Sequence, residues 1–353
     1  MSSLFAPSTS LAIQRRPALT PRLALRRTFA INAPLTIAGL AMLLAAGIAI
    51  IGLVVDHQTI IGAPAWLKPA KFAFSLGLYC FTLLYLLAFV RGHRVLVALA
   101  STAIALGAVV EMALIATQAA RGTTSHFNFS TSLDAAIFNV MGGFVVIVWT
   151  MSLLIALLLL RQPIADAAWA WTLRLGLLLS LVGMAAAVPM LLPTPAQLAA
   201  ARSGPMLHTG AHSVGVADGG AGLPILDWST VGGDLRVPHF IGIHGLQFML
   251  IFGFLLTLGA RWLDPRHRVA LVWTGALSYL GLIVLLEWQA LRGQSVVRPD
   301  GATIVAFTVL ALLTLGGAAT IVWRARAHVA SSDAARVSEQ RPAPGSPGAR
   351  RAE

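Results

Sequence analysis

The sequence predicts an all-α, polytopic membrane protein with eight transmembrane helices, arranged as two parallel (4+4) tandem repeats. Three observations predict this fold class: an apolar composition, a series of long apolar runs, and a likeness between the two halves. Of the 353 residues, 57% are hydrophobic and 11% are charged, whereas a soluble domain has about 25% charged residues. The lipid bilayer is therefore the expected solvent and partner of this chain.

Eight runs have the roughly 20 mostly apolar residues that a helix needs to cross the hydrocarbon core. Backbone polar groups must be paired within such a run, and a long unbroken run achieves this as a helix. The predicted spans are residues 33–55, 70–90, 95–120, 135–160, 169–192, 238–260, 269–290 and 302–323.

These spans divide the chain into four regions. Residues 1–30 form a basic segment that precedes the first span. The run from Ala33 is longer than a signal-peptide core of roughly 7 to 15 residues, which favours a cytoplasmic lead-in over a targeting peptide. Residues 31–162 hold the first four spans and 163–324 the second four, and residues 325–353 form a polar tail expected to be disordered.

Basic residues in short loops indicate the orientation, because such loops stay in the cytoplasm. With the N-terminus inside, the inner loops and flanks hold thirteen basic residues and the outer loops seven. Both termini are therefore expected in the cytoplasm, and this pattern fits a bacterial inner membrane. The formal charge of +12 is scattered among the spans, so no basic domain that would bind nucleic acid is predicted.

The two halves match at ordered and similarly spaced positions. Residues 66–79 align without a gap with residues 234–247, with four identities. Later matches in the same order are His93-Arg94-Val95 with His267-Arg268-Val269, Gln118-Ala-Ala-Arg121-Gly122 with Gln289-Ala-Leu-Arg292-Gly293, and Asp134 with Asp300. Such matches predict a duplication, and an even number of spans per copy makes the repeat parallel. The loop 193–233 distinguishes the second copy and is expected either to cap the outer face or to be a flexible connector.

Several chemistries lack support in the sequence. Cys80 is the only cysteine, which excludes an intrachain disulfide and a cysteine metal cluster. There is no Walker lysine loop, no HExxH and no GxSxG, so ATP hydrolysis and the common hydrolase reactions are not indicated. No metal site is predicted, and whether the protein is an enzyme stays open.

Acidic residues within spans are expensive and are therefore functional candidates. Glu111 lies nine residues before Ala120, about 14 Å below the outer end of its helix and so near the bilayer midplane. It is expected to be proton-linked or to form a structural hydrogen bond. Glu287 lies close to the end of its span, where its carboxyl group can reach the interface.

Basic residues at the outer ends of spans two, three, six and seven form a predicted ring. Its members are Lys68, Lys71 and Arg121 from one copy and Arg236, His239 and Arg292 from the other. Gln118 and Gln289 lie one turn before the arginines and are expected to orient them. Such a ring suits an anionic or lipid-like ligand, and the alternative is ordinary contact with lipid phosphates.

Histidines give a second hypothesis, in which the protein is a membrane redox protein. The architecture resembles that of haem A synthase, whose histidines repeat on matched helices of each half, but predicted spans two, four and eight contain none. A single haem b between His126 and either His239 or His244, or a quinone at these residues, is the remaining form of this hypothesis. The leading hypothesis is an outward-facing polar cavity between the repeats that binds or transports an anionic or lipid-like molecule.

Overall fold

The computed structural model describes residues 20–260 and 262–339, and most of them are helical. Residues 1–19, Arg261 and residues 340–353 lie outside this description, including most of the basic N-terminal segment and the end of the tail. The described helices are α1 (Pro21–Ile31), α2 (Ala33–Val55), α3 (Leu67–Leu87), α4 (Arg94–Ala120), α5 (Ser132–Leu160), α6 (Ala167–Ala185), α7 (Pro195–Ala200), α8 (Arg236–Ile243), α9 (Gly245–Gly259), α10 (Pro265–Leu291) and α11 (Gly301–Glu339).

Seven helices of the described chain are long and apolar enough to cross a membrane, and α8 with α9 forms a further candidate. The axes of α8 and α9 differ by 45°, and we call them the bent pair. This agrees with a polytopic helical membrane protein of seven or eight spans. The prediction of span one is confirmed at both ends, because the Asn32 side chain caps the helix at Leu35 N and the chain becomes extended at Asp56.

Predicted spans five and six correspond to candidate spans of the structure, but neither is a single regular α-helix. Span five was expected to run to residue 192, but α6 ends at Ala185 and a short 3-10 helix, Val188–Leu191, follows. Pro189 contributes to this change, since proline has no N–H to continue an α-helix. Span six is interrupted at His244, which caps both α8 and α9.

The break in the bent pair occurs where α8 crosses α6 at two glycines. A Cβ on Gly242 would lie 2.3 Å from Gly183 Cα, so only hydrogen atoms fit between the two backbones. The carbonyl groups near the break find partners on neighbouring helices. Ser180 Oγ donates to Ile243 O at 2.6 Å, and Tyr279 OH donates to Ile241 O at 2.6 Å. Such partners are what hydrocarbon requires of an interrupted helix.

The helices of the two halves pack in the same pattern. In the first half α2 packs on α3 and α4, and α4 packs on α5. In the second half α6 packs on the bent pair and α10, and α10 packs on α11. Contacts between α5 and α6 join the halves, and the largest core cluster spans this junction with buried side chains that include Leu83, Ile104, Ile155, Leu173 and Leu246.

Both ends of the described chain contain more helix than the sequence suggested. Part of the basic N-terminal segment forms α1, which Thr20 caps. At the other end, α11 extends to Glu339, so residues 325–339 of the expected disordered tail are helical. The apolar surface of the first part of α11 faces away from the bundle, since the span within it is unburied.

Candidate functional site

The loops at one end of the bundle form an ordered cap, which we define as residues 192–235 with the connections 56–66 and 121–131. Strands β3 (Ser213–Val214) and β4 (Gly233–Asp234) pair within it, and β1 (Thr59–Ile60) pairs with β2 (Ala63–Pro64). Phe129 N donates to Leu207 O at 2.8 Å, and Thr209 N donates to Phe127 O at 3.1 Å. The long loop is therefore held against the first half of the chain and is not a flexible connector.

The matched Gln-x-x-Arg-Gly segments adopt matched turns at the cap ends of α4 and α10. Gly122 and Gly293 have φ values of +69° and +70°, in the left-handed region that glycine enters without strain. Gln118 Nε2 donates to Thr124 O at 3.2 Å, and Gln289 Nε2 donates to Ser295 O at 3.0 Å, six residues on in each case. The two turns are thus built from the same contacts.

All three arginines of the predicted ring have acidic partners. Arg121 binds Asp134 at 2.7 Å and Arg292 binds Asp300, while Arg236 binds Asp234 at 2.7 Å and Asp227 at 3.1 Å. Gln118 accepts from Arg121 as expected, but Oε1 of Gln289 has no partner among the described residues. Arg121 and Arg236 thereby fasten the cap to α5 and α8, whereas the Arg292 pair lies in the connection between α10 and α11.

The two lysines differ from the arginines, because neither forms an ion pair within the described chain. Lys68 Nζ lies 3.1 Å from Nδ1 of His126, and Lys71 Nζ donates to Leu226 O in the cap at 2.8 Å. An ammonium group has three donors. Each lysine therefore keeps donor hydrogens for a further partner.

Lys68, His126 and Glu111 form a continuous chain of polar contacts. Nε2 of His126 lies 3.5 Å from Oε1 of Glu111. Because an ammonium group only donates, Nδ1 of His126 accepts from Lys68 and the ring proton lies on Nε2, facing Glu111. Burial lowers the pKa of His126 well below its ordinary value, and the charge of Lys68 lowers it further, so the imidazole is neutral at pH 7.

Glu111 lies nine residues before the end of α4 at Ala120, about 14 Å along the helix from its cap end. Its place near the bilayer midplane stays a prediction. The residue is 5% exposed, and its second carboxyl oxygen, Oε2, has no partner among the described residues.

A histidine and an aspartate from the cap complete the cluster. Nδ1 of His212 lies 2.9 Å from Oδ2 of Asp218, and the His212 ring contacts Phe127, with 5.0 Å between ring centroids. Burial lowers the pKa of His212, whereas the hydrogen bond with Asp218 raises it, and burial has the larger effect. Burial alone would raise the pKa of Asp218, but the His212 hydrogen bond brings it below its ordinary value. The Asp218 carboxylate thus fixes the orientation of a neutral imidazole.

His239 and His244 extend the polar groups into the bent pair. Nδ1 of His239 lies 2.8 Å from Gly183 O, and Nε2 of His244 lies 3.4 Å from Ser75 Oγ on α3. Further down the same pair of helices, Gln247 Nε2 donates to Thr82 Oγ1 at 2.9 Å. These side chains connect α3 with the bent pair, beside the apolar cluster in which Leu83 and Leu246 are buried together.

We call Lys68, Glu111, His126, His212 and His239 the polar junction, since they meet where the two halves and the cap converge. Electrostatic coupling of His126 to His212 and His239 places the three rings in one neighbourhood. Sequence reasoning named four of these residues separately but missed His212 and its partner Asp218. Two histidines and three aspartates within residues 192–235 were the available signal.

His126 is not placed as a free haem ligand. Both ring nitrogens of His126 have polar neighbours, Lys68 and Ser125 at Nδ1 and Glu111 at Nε2. A ligating histidine needs one free nitrogen for the metal. Glu287 and Gln289 lie elsewhere, on α10, and are not part of this cluster.

The helices are compatible with a polytopic membrane protein, and the loops form a cap over a polar cluster at one end of the bundle. Comparison with protein families, with curated proteins and with solved structures finds no match for this chain.

Proposed function

We propose that this protein binds a small anionic or lipid-like molecule at the polar junction and carries it across the membrane. The observation that supports this most directly is the contrast between arginines and lysines beneath the cap. Every arginine of the ring binds a carboxylate, whereas Lys68 and Lys71 form no ion pair within the described residues, although Glu111 and Asp227 act on them at longer range. Ammonium groups with unused donors attract carboxylate or phosphate groups.

A route across the membrane is proposed between α3 and α9. Polar contacts follow this interface from Lys68 past Ser75 and His244 to Thr82 and Gln247. Thr82 lies 15 residues after the start of α3, about 22 Å along the helix. Interrupted helices at the interface of two repeats are a feature of many transporters, and we propose this role for the bent pair because His244 and Gln247 contact α3.

Glu111 is proposed to couple binding to a proton. Its free carboxyl oxygen is buried next to His126, which contacts Lys68. An anion at Lys68 would withdraw the ammonium donor from His126 and change the stability of a proton on Glu111. Binding and protonation would then depend on each other, as linkage requires.

The repeat itself is part of the proposal, with eight spans in two parallel four-helix units. It is supported by the matched turns at Gly122 and Gly293 and by the common packing pattern of the two halves. Coexpression of residues 1–162 and 163–353 as separate chains tests whether each repeat folds as a unit without the covalent link. We expect both chains to insert into the membrane and to copurify, and degradation of either chain would contradict two folding units.

Orientation is proposed with the cap outside the bacterial inner membrane and both termini in the cytoplasm. Cys80 is buried, so introduced cysteines can be labelled against a low background. A membrane-impermeant maleimide added to intact spheroplasts should label Arg202→Cys in the cap but not Arg91→Cys, both of which are exposed positions. The reverse pattern would place the cap in the cytoplasm.

Ligand binding is tested with the purified protein and a panel of phosphate- and carboxylate-bearing metabolites and lysophospholipids. We expect at least one to raise the melting temperature of the wild type, and Lys68→Met to abolish the rise. Arg202→Met is the matched control, because Arg202 is an exposed cation of the cap outside the junction. A panel without effect, or an equal effect in Lys68→Met, would contradict the proposed site.

Transport is tested in proteoliposomes with the compound identified in this way. Uptake should respond to a pH gradient in the wild type and lose that response in Glu111→Gln, while binding is retained. Binding without any uptake would limit the function to recognition.

A further inference from the structure

One face of α6 is left open by the neighbouring helices, and this face carries an arginine. Much of α6 is buried against α5, the bent pair and α10. Partly or fully exposed positions recur every three or four residues along it, at Trp171, Arg174, Leu178, Val182 and Ala185. Such a spacing places side chains on one side of a helix. In a membrane protein this side meets lipid, where a charged side chain is rare and needs a partner.

Arg174 binds the end of α5 and still has an unused donor group. Its Nη2 donates to Gln162 O at 2.9 Å, and its Nε donates to Leu159 O at 3.4 Å. Arg174 forms no ion pair within the described residues. Its Nη1 has no hydrogen-bond partner in the described chain and is not enclosed by protein. A group from the bilayer can therefore reach this nitrogen.

The level of Arg174 in the bundle fits lipid headgroups. It lies seven residues after the start of α6 at Ala167, about 10 Å along the helix from the end opposite the cap. The contact with Gln162, which follows the end of α5, shows that the guanidinium group is turned toward that end. The guanidinium carbon lies 5.3 Å from the ring of Trp171, whose ring centroid lies 4.8 Å from that of Trp273 on α10. Tryptophan is enriched at the boundary between headgroups and acyl chains.

The charges around Arg174 select an anionic headgroup. Arg161, the exposed C-cap residue of α5, precedes Gln162 in the chain and adds a second positive charge. The one carboxylate in the connection between α5 and α6 belongs to Asp166, which binds Arg268 at 3.2 Å. A phosphate group accepts strong hydrogen bonds from a guanidinium group. The cation of a zwitterionic headgroup would find no free carboxylate in this connection.

We propose that Arg174, together with Arg161 and Trp171, binds the phosphate group of an anionic phospholipid in the leaflet opposite the cap. The acyl chains lie against the apolar remainder of the same face of α6. The lipid supplies the counter-ion that the protein does not provide for Arg174, and it does so where α5 and α6 join the two halves. This site is at the other end of the bundle from the polar junction and does not depend on the function proposed there.

The test is native mass spectrometry of the purified full chain with phosphatidylglycerol and phosphatidylcholine of identical acyl chains. Two basic residues at the membrane surface should give the wild type a preference of about tenfold for phosphatidylglycerol. Arg174→Gln should remove most of this preference, and Arg161→Gln should remove part of it. Arg324→Gln is the matched control and should leave the preference unchanged. Arg324 is an exposed cation at the same end of the bundle, but it lies on α11, which packs on α10.

Equal retention of the two lipids by the wild type, or an unchanged preference in Arg174→Gln, would overturn the proposal. An equal loss in Arg324→Gln would also overturn it, because the attraction would then be spread over all basic residues at this end. Arg174→Lys separates lipid binding from support of α5, since it keeps the positive charge and should retain most of the preference. If Arg174→Gln does not fold, Arg161→Gln changes only an exposed side chain, and an undiminished preference there would overturn the proposal.

Discussion

The glycine crossing that holds the bent pair against α6 permits a quantitative prediction for Gly242→Ala. The new Cβ would lie 2.3 Å from Gly183 Cα, whereas ordinary van der Waals contact begins at 3.4 Å. The helices must therefore move apart by more than 1 Å. Such overpacking costs about 1 to 3 kcal/mol. Separation also strains the hydrogen bonds of Ser180 to Ile243 O and His239 to Gly183 O, each worth about 1 kcal/mol.

The free energy of unfolding should thus fall by about 3 to 5 kcal/mol, measured by titration with sodium dodecyl sulfate in mixed micelles. Gly142→Ala and Gly143→Ala are controls, because a Cβ at either position meets nothing within 4 Å. They should cause no loss, since alanine favours a helix over glycine. If Gly242→Ala unfolds at the same detergent fraction as the wild type, the close crossing of α6 and α8 is refuted.

Three further predictions concern the cap and the polar junction. Asp134→Ala should lower the free energy of unfolding by about 2 kcal/mol, because the Asp134 side chain is 5% exposed and accepts from three side chains. The matched Asp300→Ala should lower it less, since the Asp300 side chain is 41% exposed. Equal losses in the two variants would contradict this difference. The pKa of His126 in the folded protein is below its ordinary 6.5, so the unfolded chain binds the proton first as pH falls. The free energy of unfolding should therefore decrease below pH 6.5, by up to about 1.4 kcal/mol per pH unit. The melting temperature of His126→Gln should depend less on pH, and an unchanged pH dependence would exclude His126 as the cause. Protein purified from haem-replete cells should show no Soret band, because both ring nitrogens of His126 have polar neighbours. A Soret band that disappears in His126→Gln would show that His126 ligates haem.

The spans were predictable because their signal is local. The predicted span 33–55 coincides with α2. A capping asparagine and a proline in the first turn mark the start of the long apolar run, and an aspartate follows its end. The bent pair was not predictable in this way. His244 lies in an apolar run like that of other spans, and the break depends on Gly183, Ser180 and Tyr279, which belong to helices distant in sequence.

The candidate site was predictable residue by residue but not as an arrangement. Glu111 was recognised because charge inside a span is costly, and Lys68 because basic residues collect at the outer ends of the spans, yet nothing in the sequence indicated that His126 connects them. The prediction of one basic ring was also too coarse, because it did not separate the arginines, which bind carboxylates, from the two lysines, which form no ion pair among the described residues. Asp227 and Asp234 lie in a loop that the composition left undetermined, and their contacts with Arg236 could be seen only once the cap was folded.

The bent pair also has a consequence for how the chain is made. Helix α9 has 15 residues, about 22 Å in length, which is shorter than a hydrocarbon core of about 30 Å. The other helix of the bent pair, α8, begins with an arginine and contains a histidine. The bent pair is therefore poorly suited to partition into lipid alone. The hydroxyl that binds Ile241 O belongs to Tyr279 of α10, which the ribosome translates later. Stable insertion of the bent pair therefore has to wait for α10, and the second half is expected to enter the membrane as a group of helices.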